Sequence, residues 1–159
     1  MEVKPVSASH AVLVHWMGIA DINGAGFVHG GVVMKLCDEV AGLAAIRFSN
    51  RRVVTGGVDR MTFLEPIEQG ELVTFTAAVN AAWRTSMEVG VKVTAEKVRD
   101  GSGPRHTNTA YFTMVALGED HRPTRVPQLA VETPEQERRQ REAQARRENR
   151  LAERKSLKA

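Results

Sequence analysis

The sequence contains a single cysteine, no long apolar run and no basic leader before its first apolar stretch. With only Cys37, the chain can form no internal disulfide and no cysteine-rich metal site. No segment approaches the ~18 consecutive apolar residues of a membrane span. The apolar run near the N-terminus is short and is interrupted by His15, unlike that of a signal peptide. We therefore predict a cytoplasmic chain without a metal centre or a membrane span.

An excess of charge is also lacking over most of the chain. Residues 132–159 hold nine Lys/Arg and six Asp/Glu, which accounts for the whole formal net charge of +3. The remaining residues are neutral, which argues against a nucleic-acid-binding protein. The length of 159 residues suits one domain with a substantial core. We predict a globular domain at 1–130 and a charged helical tail at 131–159.

The apolar pattern predicts one long helix followed by a series of strands. Residues 11–16 read as a first strand, and residues 30–49 have helical spacing. This helix is apolar on most sides, so we expect the rest of the protein to surround it. Its polar residues form one stripe: Lys35, Asp38, Glu39 and Gly42. After residue 50 the pattern alternates, which predicts strands within 53–66, 72–83, 86–98 and 106–117.

The order of these elements predicts an α+β fold. Because no second helix lies between the strands, a doubly wound parallel sheet is excluded, and an antiparallel sheet curled around one central helix is expected. The tail begins with a helix start at Thr133–Gln136 and continues with acidic and basic residues at i,i+4 spacing. It has almost no apolar stripe, which favours a solvated helix over one that contacts a partner subunit or an anionic surface.

The loop before the long helix, NGAGFVHGG, has a partial glycine fingerprint of dinucleotide-binding proteins. His29 stands where the third glycine is required, and no βαβ unit follows, so we reject that function. Gly30 and Gly31 nevertheless leave free N–H groups at the positive end of a helix dipole. Such a position can bind a phosphate or stabilise an oxyanion.

Asp38 and Glu39 are unusual because they lie within an apolar helix. Their carboxylates either reach solvent through a gap or pair with an arginine such as Arg60 or Arg84. Adjacent residues on a helix point about 100° apart, so the two do not form a matched glycosidase pair. His29 is either a capping residue or a catalytic base, and the pattern alone leaves these alternatives open.

The run N-x-x-G-x-x-H-G-G-x-x-M-x-x-x-D, from Asn23 to Asp38, resembles the hot-dog-fold acyl-CoA thioesterases. The nearest branch is that of the cytosolic broad-specificity acyl-CoA hydrolases. The segments FLEPIEQGE and WRTSMEV follow in the same order, and the resemblance covers about residues 10 to 130. It implies a curved antiparallel sheet around a long helix and hydrolysis of acyl-CoA to a free acid and CoA, a reaction of fatty acid metabolism. It also implies dimers that pair into a hexamer, with active sites between subunits.

The same resemblance implies roles for individual residues. Asp38 is expected to be the general base or nucleophile, Asn23 to position the water or the carbonyl, and the Gly31 amide to stabilise the oxyanion. Thr85 and Ser86 are expected to complete the site from the neighbouring subunit. No metal or redox cofactor is implied, and Glu39 has no implied role. The candidate substrate-binding residues are Gly30, His29, Arg51, Arg52, Gly56, Gly57, Arg84 and Lys97.

Two other functions remain open at this level. One is an acyl-thioester hydratase or dehydratase that uses His29 and an acid. The other is a non-catalytic acyl-CoA sensor whose tail binds a partner. The presence of both Asn23 and Asp38 favours hydrolysis, because a sensor needs no carboxylate beside the thioester carbonyl.

Overall fold

The structure is a computed structural model that describes residues 2–158, with eight strands and two α-helices in that range. The strands are β1 (Val3–Pro5), β2 (Ala11–Trp16), β3 (Arg52–Val58), β4 (Thr62–Phe63), β5 (Leu72–Ala82), β6 (Ser86–Glu96), β7 (Arg105–Leu117) and β8 (Gln128–Ala130). The helices are α1 (Gly30–Ser49) and α2 (Pro134–Lys158). Within residues 2–158, neither helix is both long and apolar enough to span a membrane.

The main sheet is antiparallel and has the strand order β2-β5-β6-β7-β3, with β4 paired to β7. Helix α1 contacts all five strands of that order, so the predicted sheet curled around one helix is confirmed. The predicted strand 53–66 is divided into β3 and β4, because the chain turns after Val58 and the Asp59 N–H donates to the Tyr111 carbonyl. Strands β1 and β8 form a separate parallel pair that was not predicted.

Helix α1 has the bounds that the sequence predicts. It ends where Asn50 adopts a left-handed conformation, with φ of 54°, and the Asn50 N–H donates to the Ile46 carbonyl. One face of the helix is buried against the sheet, through Val33, Leu36, Cys37, Val40, Ala41, Ala44, Ala45 and Phe48. Each large side chain buried there stabilises the fold by about 1.5–3 kcal/mol.

The opposite face of α1 is not covered by the chain. Met34, Leu43 and Ile46 are 42%, 46% and 45% exposed. The expectation that the rest of the protein surrounds this helix is therefore wrong for a single chain. The sheet reaches around only part of the helix, and the uncovered part holds large apolar side chains.

Helix α2 is mostly exposed, in keeping with the predicted solvated helix, but it is also attached to the outer face of the sheet, which was not predicted. Arg146 donates to the fully buried Glu88 carboxylate at 2.7 and 3.0 Å, and its guanidinium lies 3.7 Å from the centre of the Tyr111 ring. Arg150 pairs with Asp59 at 3.1 Å. Glu88 lies in β6 and Asp59 directly after β3, so the i,i+4 pattern within the tail gave no sign of them.

We predict that Arg146→Ala destabilises the domain much more than Arg138→Ala. The first change leaves the buried Glu88 with only the Asn80 amide at 3.1 Å and Arg150 at 3.6 Å, which costs about 3 kcal/mol. Arg138 is the matched control, because it too pairs with a glutamate, Glu142, which lies on the same helix. Both of these side chains are about half exposed. Such exposed pairs contribute about 0–1 kcal/mol to stability. Urea unfolding at one fixed protein concentration measures both changes. Equal small losses would contradict the account of α2.

Candidate active site

The loop that precedes α1 is held in shape by the side chain of Asn23. Its Oδ1 accepts hydrogen bonds from the N–H groups of Ala25 at 2.9 Å and Phe27 at 3.2 Å. The Asn23 N–H in turn donates to the Phe27 carbonyl. Within residues 2–158 its Nδ2 has no hydrogen-bond partner, so this side chain can act on a ligand only as a donor.

Asp21 fixes both ends of the same loop. Its carboxylate accepts hydrogen bonds from His15 at 3.0 Å and from the Gly18 N–H at 2.8 Å, while its backbone carbonyl accepts from the His29 N–H. The hydrogen bond from His15, together with that from Gly18, lowers the pKa of the Asp21 carboxyl. The structural role predicted for His15 by its isolated position is consistent with this contact.

The N-terminus of α1 presents free amide donors. His29 is the N-cap residue, and its carbonyl accepts from the N–H groups of Val32 and Val33. The N–H groups of Gly30 and Gly31 come before the first helical hydrogen bond, and both residues are exposed. Because the helix dipole adds positive potential at this end, the two amides form a site for an oxyanion or a phosphate.

Asp38 accepts a hydrogen bond from the Thr55 hydroxyl at 2.5 Å. Within residues 2–158 no basic side chain lies within 4 Å of it, so pairing with Arg60 or Arg84 is wrong. The Thr55 hydroxyl holds one carboxylate oxygen of Asp38. Within residues 2–158 the other oxygen has no hydrogen-bond partner. Sequence reasoning missed Thr55, which follows Val54 and precedes Gly56 in β3 and has no local sign of its contact with α1.

Asp38 and Thr55 lie in an open groove of about 430 Å³ between α1 and the edge strand β3. That volume is within the usual range for small-molecule sites. The apolar part of its lining is Leu13, Leu43, Ile46, Val53 and Met114. A hollow of similar volume, about 410 Å³, lies beneath α2 on the outer face of the sheet, but its one carboxylate, Glu142, pairs with Arg138 and not with a hydroxyl. The groove at Asp38 is therefore the candidate active site.

The cysteine beside Asp38 takes no part in this site. Cys37 is fully buried on the sheet side of α1. Burial raises the pKa of its thiol to about 12, so the thiolate is scarce at neutral pH. A carboxylate mechanism is thus favoured over a cysteine nucleophile.

The remaining predicted residues lie at the two ends of the sheet. Near the N-terminal end of α1 the structure places Asn23, His29, Gly30, Gly31 and Lys97, with Lys97 3.6 Å from Glu68. Near the C-terminal end of α1 it places Arg51, Arg52, Arg84, Thr85 and Ser86, because Ser86 pairs with Val115 and Arg52 with Leu117. Gly56 and Gly57 lie beside Thr55 in β3, at an irregularity of its pairing with β7.

The amide donors and the carboxylate do not meet within one chain. Gly31 and Asp38 are seven residues apart in α1, which separates them by about 10 Å along the helix axis. One thioester carbonyl therefore cannot contact both groups of the same subunit.

Comparison with known proteins identifies the family to which the chain belongs. The thioesterase superfamily model matches residues 25–102. A hexameric acyl-CoA thioesterase, solved in its apo form, is 33% identical, with a TM-score of 0.91 over 96% of this chain and 97% of that one. The chain belongs to the thioesterase superfamily.

Two further thioesterases extend the comparison. The rat cytosolic acyl coenzyme A thioester hydrolase is 40% identical over 146 residues, which are 91% of this chain but only 38% of that protein. The Staphylococcus aureus acyl-CoA hydrolase, solved with butyryl coenzyme A, coenzyme A and coenzyme A disulfide, is 29% identical with a TM-score of 0.90, over 98% of this chain and 94% of that one. It has also been solved as separate alanine variants of an asparagine, an aspartate and a threonine.

We predict that Asn23→Ala and Asn23→Asp affect the loop differently. The alanine variant loses the acceptor for the N–H groups of Ala25 and Phe27, so their hydrogen exchange should accelerate about tenfold or more. The aspartate variant keeps that acceptor and should stay within about threefold of the unchanged chain. Amide exchange followed by NMR or mass spectrometry measures both, and equal protection in the two variants would contradict the loop-holding role.

Proposed function

We propose that this thioesterase-superfamily chain hydrolyses acyl-CoA thioesters to a free carboxylic acid and CoA. The observation that carries the proposal is the Thr55–Asp38 pair in a largely apolar groove. A carboxylate with one fixed oxygen supplies a base or a nucleophile, and the apolar walls suit an acyl chain.

The Staphylococcus aureus variants support the choice of residues. In that enzyme the altered asparagine precedes the altered aspartate by 15 positions, and the altered threonine follows the aspartate by 17. Asn23, Asp38 and Thr55 have the same two spacings in this chain. This agreement favours Thr55 as a site residue, in addition to Asn23 and Asp38.

The proposed reaction begins with Asp38. Its free carboxylate oxygen removes a proton from water, and the water oxygen attacks the thioester carbonyl carbon. The carbon–sulfur bond then breaks, and the CoA thiolate takes up a proton to leave as the thiol. In the alternative route, Asp38 attacks directly and forms an anhydride that water hydrolyses. Thiolate is a good leaving group, so we propose that no metal or redox cofactor is needed.

Asn23 and Gly31 contribute donors to this reaction. The Asn23 carbonyl oxygen is engaged by the loop, so only its Nδ2 is available to hold the water or the thioester oxygen. The Gly31 N–H is directed out of the helix end and stabilises negative charge on the carbonyl oxygen. Preorganised donors of this kind contribute about 3–4 kcal/mol to transition-state stabilisation.

The complete site requires two subunits in this proposal. Asp38 and Thr55 come from one subunit, and Asn23 and Gly31 come from its partner across a two-fold axis, which overcomes the separation along α1. The exposed Leu43 and Ile46 supply an apolar patch for that dimer. We further propose that dimers assemble as a trimer, as the hexameric relative suggests. We also propose that Thr85 and Ser86 of a neighbouring subunit complete the site.

The CoA portion requires cationic or amide contacts outside the groove. Arg51 and Arg52 line a small polar hollow at the C-terminal end of α1, and Arg84 is exposed at the same end. We propose that these arginines bind the CoA phosphates. Lys97, His29 and Gly30 offer further contacts at the opposite end, while Gly56 and Gly57 allow close approach of the ligand to β3. Because the rat and human relatives have cytosolic names, we propose a cytoplasmic location.

The hydratase alternative has less support. His29 is an exposed N-cap residue, and within residues 2–158 no carboxylate lies within 4 Å of its ring. A hydratase needs an acid beside this histidine, and the described part of the chain does not place one there.

We predict that Asp38→Asn reduces turnover at least ~100-fold, because it removes the base. Thr55→Val keeps the shape of the side chain but frees the carboxylate, so we expect a loss of about tenfold. Release of free thiol from acyl-CoA measures both. The matched control is Glu39→Gln, the neighbouring and exposed carboxylate, for which we expect less than about a threefold change. Near-normal hydrolysis by Asp38→Asn would contradict the role of Asp38 as the base.

A further inference from the structure

Gly42 lies near the middle of α1, where the chain itself gives no reason for a glycine. After proline, glycine is the least favourable residue in a helix interior. A Cβ built at this position meets no atom within 4 Å, so no neighbouring element of the chain requires its absence. The helix has ordinary backbone geometry there, and no positive φ explains the residue.

The position of Gly42 in the groove offers a reason. It lies one helical turn after Asp38 and lines the same groove, between the carboxylate and Ile46. Glu39 lines the groove beside Asp38, and beyond these two residues the groove is apolar, with Leu43, Ile46 and Val53 along its walls. A side chain at position 42 would project into that space, so the glycine makes the groove deeper at this point.

We propose that Gly42 determines how long an acyl chain the groove accepts. The inference rests on the proposed function, because it takes the occupant to be the acyl chain of a thioester whose carbonyl lies at Asp38. From there the acyl chain runs along α1, over Gly42 and towards Ile46, and CoA leaves in the opposite direction. The arginines that bind its phosphates are therefore those of the partner subunit, whose α1 runs the other way across the two-fold axis. An alkyl chain suits this path, since the walls beyond Asp38 offer few groups that a polar ligand could bind.

The spacing along α1 sets the expected lengths. Gly42 lies about 6 Å and Ile46 about 12 Å beyond Asp38, from the rise of an α-helix. Carbon–carbon bonds of about 1.5 Å in an extended zigzag cover these distances with roughly five and ten carbons. The groove therefore suits acyl chains up to about ten carbons, and a large side chain at position 42 limits them to about five.

The test measures kcat/KM by thiol release for butyryl-CoA and octanoyl-CoA. For Gly42→Leu we expect the octanoyl-to-butyryl ratio to fall at least tenfold, and for Gly42→Ala we expect a smaller fall. Gly42→Ala also serves if the leucine variant does not fold, because alanine favours the helix and meets no neighbour. The matched control is Ala152→Leu, which places the same side chain at an exposed position of α2 and should leave the ratio unchanged.

Two results would overturn the inference while leaving the proposed function intact. One is an unchanged ratio in both Gly42 variants. The other is an equal loss for both substrates together with a smaller assembly mass by light scattering, which would show that Gly42 allows close contact between subunits. If the unchanged chain hydrolyses no acyl-CoA of any length, the proposed function fails and the inference with it.

Discussion

The rigid length of α1 is the constraint on which the arrangement of the site depends. An α-helix rises by a fixed 1.5 Å per residue, so the amide donors at Gly31 and the carboxylate of Asp38 cannot approach one another. The first lies at the end of the helix and the second in an apolar groove along its side. In the proposed reaction each subunit therefore carries two incomplete halves of a site, and a second subunit brings a complementary half to each.

This constraint gives a common reason for several local features. The face of α1 that the sheet leaves open carries the polar stripe with Asp38, and beside it the exposed Leu43 and Ile46. These two apolar side chains suit contact with another subunit as well as with an acyl chain. The loop at Asn23 is held by its own hydrogen bonds and by Asp21, so its free Nδ2 is presented in a fixed position. Thr55 holds one oxygen of Asp38 in the same way. Donors and base are thus both positioned before any ligand binds, which reduces the reorganisation that the reaction requires.

The sequence allowed prediction of the features that depend on local pattern. The bounds of α1 followed from helical spacing, and the antiparallel strands from alternation and turns. The motif from Asn23 to Asp38 pointed to the candidate site. Thr55 was missed because its hydrogen bond to Asp38 joins two elements, and no periodicity within β3 marks it. The attachment of α2 was missed for the same reason, since Glu88 and Asp59 lie far from Arg146 in sequence.

Mixing two inactive variants tests the two-subunit site most directly. Asn23→Asp removes the side-chain donor but keeps the loop, and Asp38→Asn removes the base, so each variant alone should be nearly inactive. In a dimer that contains one chain of each kind, one of the two sites retains both unchanged residues. After joint refolding at equal amounts, the account predicts recovery of about a quarter of the unchanged activity, since half of the randomly paired dimers are mixed. A mixture no more active than its separate components would contradict the account.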